Sequence, residues 1–475
     1  MKHLAVKMIP PIRHRTIGHV LCLILFMAST FLSGCALLDT NTPQWHQSLH
    51  FGESRRLHEI FESFFDAELA LFPTFATEIG DHRYDDQLEI AISEEHIGAH
   101  RRLLQQTLKQ LVEIKRDEIA TQERLYLDVL SRNLRLSLDG LAFQQQLLPV
   151  RQLASLAVEF PLLGSGSGVH PFRTVSDYEN FLKRIELFDL WIDTAIANMR
   201  RGIDAGIVQP KVVIERTLPQ IEALIATDPT ASLFYQPVVR MSAKFNAAER
   251  ARLTSAYRDA IEQHINPAYR RLLAFLKDEY LGKCRGTVGI SALPNGTTWY
   301  DHLIKTQTTT DLSAEEIFQL GLGEIARIKK DMEELRERLG FSGSLSEFAA
   351  YLASNAPPGQ DNPSDLIGAY EAIREMVSSR LEQLFGRMPK SQFEIRTIEP
   401  FREGAAPSQY WSAAPDGSRP GIFYINAAGI ATSPRRASEP LYLHEAVPGL
   451  TFRSHCNRNV MTCRASNVSR TTLPL

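Results

Sequence analysis

The chain has 475 residues, of which 44% are hydrophobic and 23% charged, an ordinary globular composition with room for one large domain or two. A formal net charge of −3 and a pI of 6.6 leave no basic footprint, which excludes nucleic acid as a partner. Cys22, Cys35, Cys284, Cys456 and Cys463 match neither a zinc knuckle nor a disulfide framework.

Lys2, Lys7, Arg13 and Arg15 form a positive N-terminal region, followed by the apolar stretch Val20–Phe31, which is too short for a membrane-spanning helix. Leu32-Ser33-Gly34-Cys35 closes it with small residues and a cysteine, an ending that resembles the bacterial lipobox. Residues 1–34 are therefore expected to be a signal peptide cleaved before Cys35, whose thiol and new amino group are acylated, palmitate included. Losing four cations takes the net charge from −3 to −7, so lipid rather than surface charge would hold the protein at the membrane. Ala36 favours the outer membrane, facing the periplasm. Residues 35–52 read as a tether, and 53–449 as one helical domain.

From Glu53 to about Leu148 apolar residues recur with helical period, as in Leu104, Leu108 and Leu111. Phe72 to Asp85 reads as a loop between helices. Ser93 is a candidate cap for a helix carrying His96 and His100 at i,i+4, a spacing that could put two imidazoles on one metal. Arg101 and Arg102 beside them would repel a cation, so a solvated or half-buried face is the better account. His58-Glu59 reads the same way. Gly164-Ser-Gly-Ser-Gly168 lacks the Lys-Ser/Thr of a phosphate loop and is a turn.

Asp177 to about Met199 is helical, with Gly202–Pro210 as its breaker, and helical patterns follow over Ile221–Ile225 and Ala247–Leu281. Leu293-Pro294-Asn295-Gly296 is a turn. Ser313 and Glu316 fit a capping box for a helix with the stripe Ile317, Leu320, Ile325, Ile328, Met332, Leu335 and Leu339. Ser344 and Glu347 repeat the device. Leu366, Tyr370, Ile373, Val377, Leu381 and Leu384 mark one more amphipathic helix. Gln392–Ile398 and Gly421–Asn426 are short and β-like, separated by a turn at Asp416–Pro420. The expected fold is mainly α, a large multi-helix domain with a small β element near the C-terminus.

Plausible bond-breaking chemistry gathers at Pro440–Gly449, PLYLHEAVPG. In a zinc hydrolase helix of the form HExxH, two imidazoles one turn apart hold the metal while the glutamate takes the proton of a water. Here His444 would be the metal ligand and Glu445 the base, but Pro448 stands where the second histidine belongs. A histidine six or seven residues on would lie about 10 Å along an unbroken helix. Pro448 clashes with a helical carbonyl at His444 and Gly449 tolerates unusual dihedrals, so the pair could bend a later ligand round.

The chain resembles the bacterial domain of unknown function 885 family, a zinc-metallopeptidase-like group. The resemblance runs from about Ala67 to Gly449 through Pro73…Gly80…Tyr84-Asp85, HPF…DYENFL (His170–Leu182), LPNG…WY (Leu293–Tyr300), Thr308–Leu312 and DGSRPGIFYIN (Asp416–Asn426). It implies a signature like HEAxPGHHxQ, with His444 as zinc ligand and Glu445 as base, and a later Glu-Gly-Trp-Ala-Leu-Tyr segment. This chain has Leu450-Thr451 in place of the histidines. Residues 450–475 contain no Asp or Glu and hold two of the five cysteines. One base inserted at codon 450, under a permitted codon choice, turns their start into HHFQ and completes the signature. Residues 450–475 are therefore expected to be an out-of-frame tail on a truncated domain.

The functional expectation is an exported, lipid-anchored metallopeptidase-like hydrolase of peptides by descent, inactive as truncated, with zinc as the cofactor of the intact site. Tyr410, Tyr424 and Asn426 are candidate cleft residues, Tyr424 for an oxyanion and Tyr410 and Asn426 for substrate; simple packing is the competing role of each. The alternative is a non-enzymatic helical envelope lipoprotein that binds or scaffolds.

Overall fold

The computed structural model describes residues 52–452 apart from 154, 356–358, 387, 390–391, 400–402, 405, 415–418 and 431–434. All of these except Gly52 belong to one compact unit, 53–475. The signal peptide, Cys35 and nearly all of the tether and the C-terminal tail lie outside the described residues, as does most of the Asp416–Pro420 turn.

The architecture is mainly α, with a three-stranded sheet near the C-terminus. A first layer is built from α1 (Glu53–Leu71), α2 (Pro73–Glu78), α3 (Glu94–Val112) and α4 (Thr121–Gly140) around Leu57, Phe61, Phe64, Leu104, Leu111 and Leu130. The stretch from Phe72 that reads as a loop contains α2, because Pro73 presets the first helical turn.

The largest core lies under α5 (Leu156–Gly164), α6 (Val175–Ala205), α7 (Lys211–Glu222), α8 (Gln236–Val239), α9 (Ala247–Ala260) and α10 (Asn266–Phe275). Phe160, Phe181, Phe188 and Phe234 stack at its centre. Two π-helical turns, Ile261–Ile265 and Leu276–Tyr280, continue α9 and α10. Gly202 does not break α6. It lies inside the helix because the Ile207 carbonyl passes where a Cβ would be, at 2.6 Å, and the helix stops at Gly206 with φ +69°.

Next come α11 (Gly296–Thr308), α12 (Ala314–Arg338), α13 (Leu345–Asn355) and α14 (Pro363–Leu384). Both capping boxes form as expected, Ser313 with Glu316 and Ser344 with Glu347. The apolar stripe of α12 is not buried.

The sheet has the order β1-β3-β2: β1 (Phe393–Thr397) runs parallel to β3 (Gly421–Ile425), and β2 (Gln409–Trp411) pairs antiparallel on its other side. Sequence reading missed β2, since three residues are too few to show an alternation. Phe393, Ile395, Phe423 and Ile425 form the face that packs on α14 and on α15 (Glu439–Glu445). Ile422 and Tyr424 form the other face, with Ile398 and Trp411.

Candidate functional site

The site is built on α15. Ser438 accepts the Leu441 N–H and caps the helix, and Pro440 sits in its first turn, where a missing N–H costs nothing. Tyr442 is fully buried and fixes the rotation of α15, with its ring against Phe423 at 6.2 Å and Phe393 at 6.3 Å. Two residues on, His444 is exposed, and Glu445 beside it is half-buried.

The Glu445 carboxylate accepts the backbone N–H of Tyr410 in β2. β2 is an edge strand, so this N–H is not needed by the sheet and turns to the helix. Burial pushes the Glu445 carboxyl above its ordinary range, against the opposing pull of His444 and of the Tyr410 N–H. A carboxyl raised in this way is the kind that takes and returns a proton.

α15 ends at Glu445, where the Ala446 backbone leaves the helical region. Gly449 then packs against the end of α15, and a Cβ built on it would lie 1.9 Å from the His444 carbonyl oxygen. No other residue fits there. Thr451 N donates to Ala446 O at 3.0 Å and Phe452 N to Pro448 O at 2.8 Å, so a new helical turn starts as the chain doubles back. The bend expected of Pro448-Gly449 is thus present. What it brings round is Leu450 and Thr451.

The structure brings His444, Glu445 and Tyr410 together. Tyr410 contributes its backbone, while its ring crosses Gly421, where a Cβ would meet the hydroxyl at 2.1 Å. Tyr424 lies on the opposite face of the sheet, 2% exposed, with Trp411 edge-on at 5.4 Å. Asn426 is taken up by backbone: its Nδ2 donates to Glu403 O and Ala406 O, and its Oδ1 accepts from Ala428 N. Among the described residues no three His, Cys, Asp or Glu side chains are grouped to hold a metal ion. One imidazole and one carboxylate do not fit zinc, which needs at least three protein donors.

The other histidines have local tasks. His96 and His100 flank the Phe72 ring edge-on, with centroids at 5.0 and 5.1 Å. His58 Nε2 meets Glu123 Oε1 at 2.9 Å, while Ser54 donates to the other oxygen.

Sequence reasoning missed a buried polar cluster. Arg184, fully buried on α6, donates to Thr77 Oγ1 at 2.6 Å, Gln87 O at 2.8 Å and His170 Nδ1 at 2.9 Å. Thr77 in turn donates to Asp85, which also meets His82. Two of the segments that carry the family resemblance, Pro73–Asp85 and His170–Leu182, therefore meet here, clamping the first helical layer to the second. A third, LPNG…WY, forms a corner: Asn295 has φ +56° and Trp299 stacks on Phe143. In this chain these segments join the two helical layers and shape a corner. Their concentration of Pro, Gly, His and Asp was the available signal.

The fold is that of a many-helix protein with a three-stranded sheet beside α15. The chain belongs to the bacterial family of proteins of unknown function DUF885, whose sequence profile matches residues 73–458. A solved protein from Colwellia psychrerythraea, provisionally assigned as a lipoprotein, has the same fold at TM-score 0.79 and 21% identity, over 89% of this chain and 75% of its own. Another from Shewanella oneidensis, a provisional lipoprotein of unknown function, matches at TM-score 0.50 and 14% identity over 86% and 74%. No curated protein matches the chain.

Proposed function

We propose that the chain is a lipid-anchored envelope protein carrying half of a peptide-hydrolase site. Anchoring is supported by the LSGC ending of the N-terminal segment and by two structural neighbours that are provisionally lipoproteins. Radiolabelled palmitate should enter the chain and be lost in Cys35→Ser; unchanged labelling of the variant overturns the anchor.

The observation that carries the hydrolase ancestry is Glu445, a carboxyl raised by burial, held by the edge-strand N–H of Tyr410 next to exposed His444. Among the described residues the donor set is too small for zinc, and on this reading the chain is a non-catalytic envelope protein. If residues 450–475 are out of frame, a restored frame would encode the missing imidazoles at the turn where Leu450 and Thr451 stand.

Metal analysis and a peptidase assay test this together. The 475-residue chain should bind zinc far below one ion per molecule and cleave no peptide. A frame-restored gene should gain both, and lose cleavage but not metal in Glu445→Gln. Stoichiometric zinc in the present chain, or a restored chain that gains neither property, overturns the reading.

A further inference from the structure

We propose that a second copy of this chain packs against α12 in a parallel two-stranded coiled coil. The proposal is independent of the hydrolase reading. α12 buries none of its residues, yet Phe318, Ile325, Ile328, Met332, Leu335 and Leu339 are 44% to 62% exposed. A continuous apolar stripe of this size on a surface marks an interaction site.

The spacing selects the kind of partner. Phe318, Ile325, Met332 and Leu339 recur every seven residues, and Gly321, Ile328 and Leu335 recur every seven between them. These are the a and d positions of three heptads, the seam of a helix that pairs with another helix.

The flanking charges select a second copy and its direction. In a parallel pair each g residue faces the e residue five places on in the other chain. That sets Glu324 opposite Lys329 of the second copy and Asp331 opposite Arg336, with Ile317 opposite Leu322. Each antiparallel register leaves like charges opposed, Glu324 against Asp331 in one, and in another Asp331 against Asp331 and Lys329 against Lys329 although Glu324 there meets Arg338. Arg327 bridges Glu324 and Asp331 within one helix, at 2.9 and 2.8 Å, from a c position that leaves the seam clear.

The test is light scattering on the full chain extracted in mild detergent. A two-chain particle is expected. Glu324→Lys should raise its dissociation constant about tenfold, because two symmetry-related pairs turn from attraction to repulsion, and Glu324→Lys with Lys329→Glu should restore it. Ile325→Cys should form an intermolecular disulfide on mild oxidation that the unsubstituted chain lacks. A monomer, a polydisperse aggregate, or a charge swap without rescue overturns the proposal.

Discussion

Arg184 donates from Nη1 to Nδ1 of His170 at 2.9 Å, with both side chains shut away from solvent. The contact fixes the tautomer: Nδ1 accepts, so the proton sits on Nε2 and is donated to the Asp177 carbonyl at 2.9 Å. His170 is therefore neutral, and Asp85 is the near anion for the buried guanidinium, 3.9 Å away.

Removing Arg184 should be severe. Arg184→Ala leaves Asp85 buried without its cation and strips donors from His170 Nδ1 and Gln87 O. A loss of about 3–5 kcal/mol is expected in urea unfolding. A loss under 1 kcal/mol would show that the cluster does not hold the two helical layers together.

The same pair sets a pH dependence. Burial, and then the Arg184 charge, pull the His170 pKa down to about 3 from 6.5. The unfolded chain takes up its proton as pH falls through 6.5 while the folded chain does not, so stability is full above 6.5 and declines toward 3. About 2 kcal/mol should be gone by pH 5. His170→Gln cannot titrate and should show a correspondingly smaller loss between pH 7 and pH 5. An equal loss in both proteins would remove His170 as the cause.

Glu445 has the opposite sign. Its raised pKa means that the folded state holds the proton more tightly than the unfolded state, so the group weakens stability as pH rises through its folded pKa. Glu445→Gln keeps an acceptor for the Tyr410 N–H and removes the buried charge. Its melting temperature should match or exceed that of the parent at pH 8, and the difference should vanish near pH 4. A clear drop at pH 8 would mean that the ionised carboxylate stabilises the site.

Gly449 is required by space, since a Cβ would lie 1.9 Å from His444 O. Gly449→Ala should destabilise the turn by about 1–3 kcal/mol and speed amide exchange at Ala446 and Thr451. Unchanged exchange at those amides would show that the turn has another way to close.

Local signals carried much of the fold. Ser93, Ser313 and Ser344 announced helix starts by their own chemistry, and the short run of β-branched and aromatic residues in GIFYI announced β3. His444-Glu445 stood out for the same reason, an apolar run ending in Pro-Gly. β2 and the Arg184 cluster did not show, since the first is three residues long and the second joins groups as far as 111 residues apart.

By itself the sequence determined the helical periods, the caps, the position of the small sheet in the chain and the bend at Gly449, because each depends on residues within a turn or two of one another. Tertiary structure alone decided that Tyr410 reaches Glu445 through its backbone while Tyr424 faces away, that Arg184 is the buried clamp, and that the α12 stripe faces water. Periodicity tells which residues share a face. What that face meets depends on the packing of distant segments, and no local pattern encodes it.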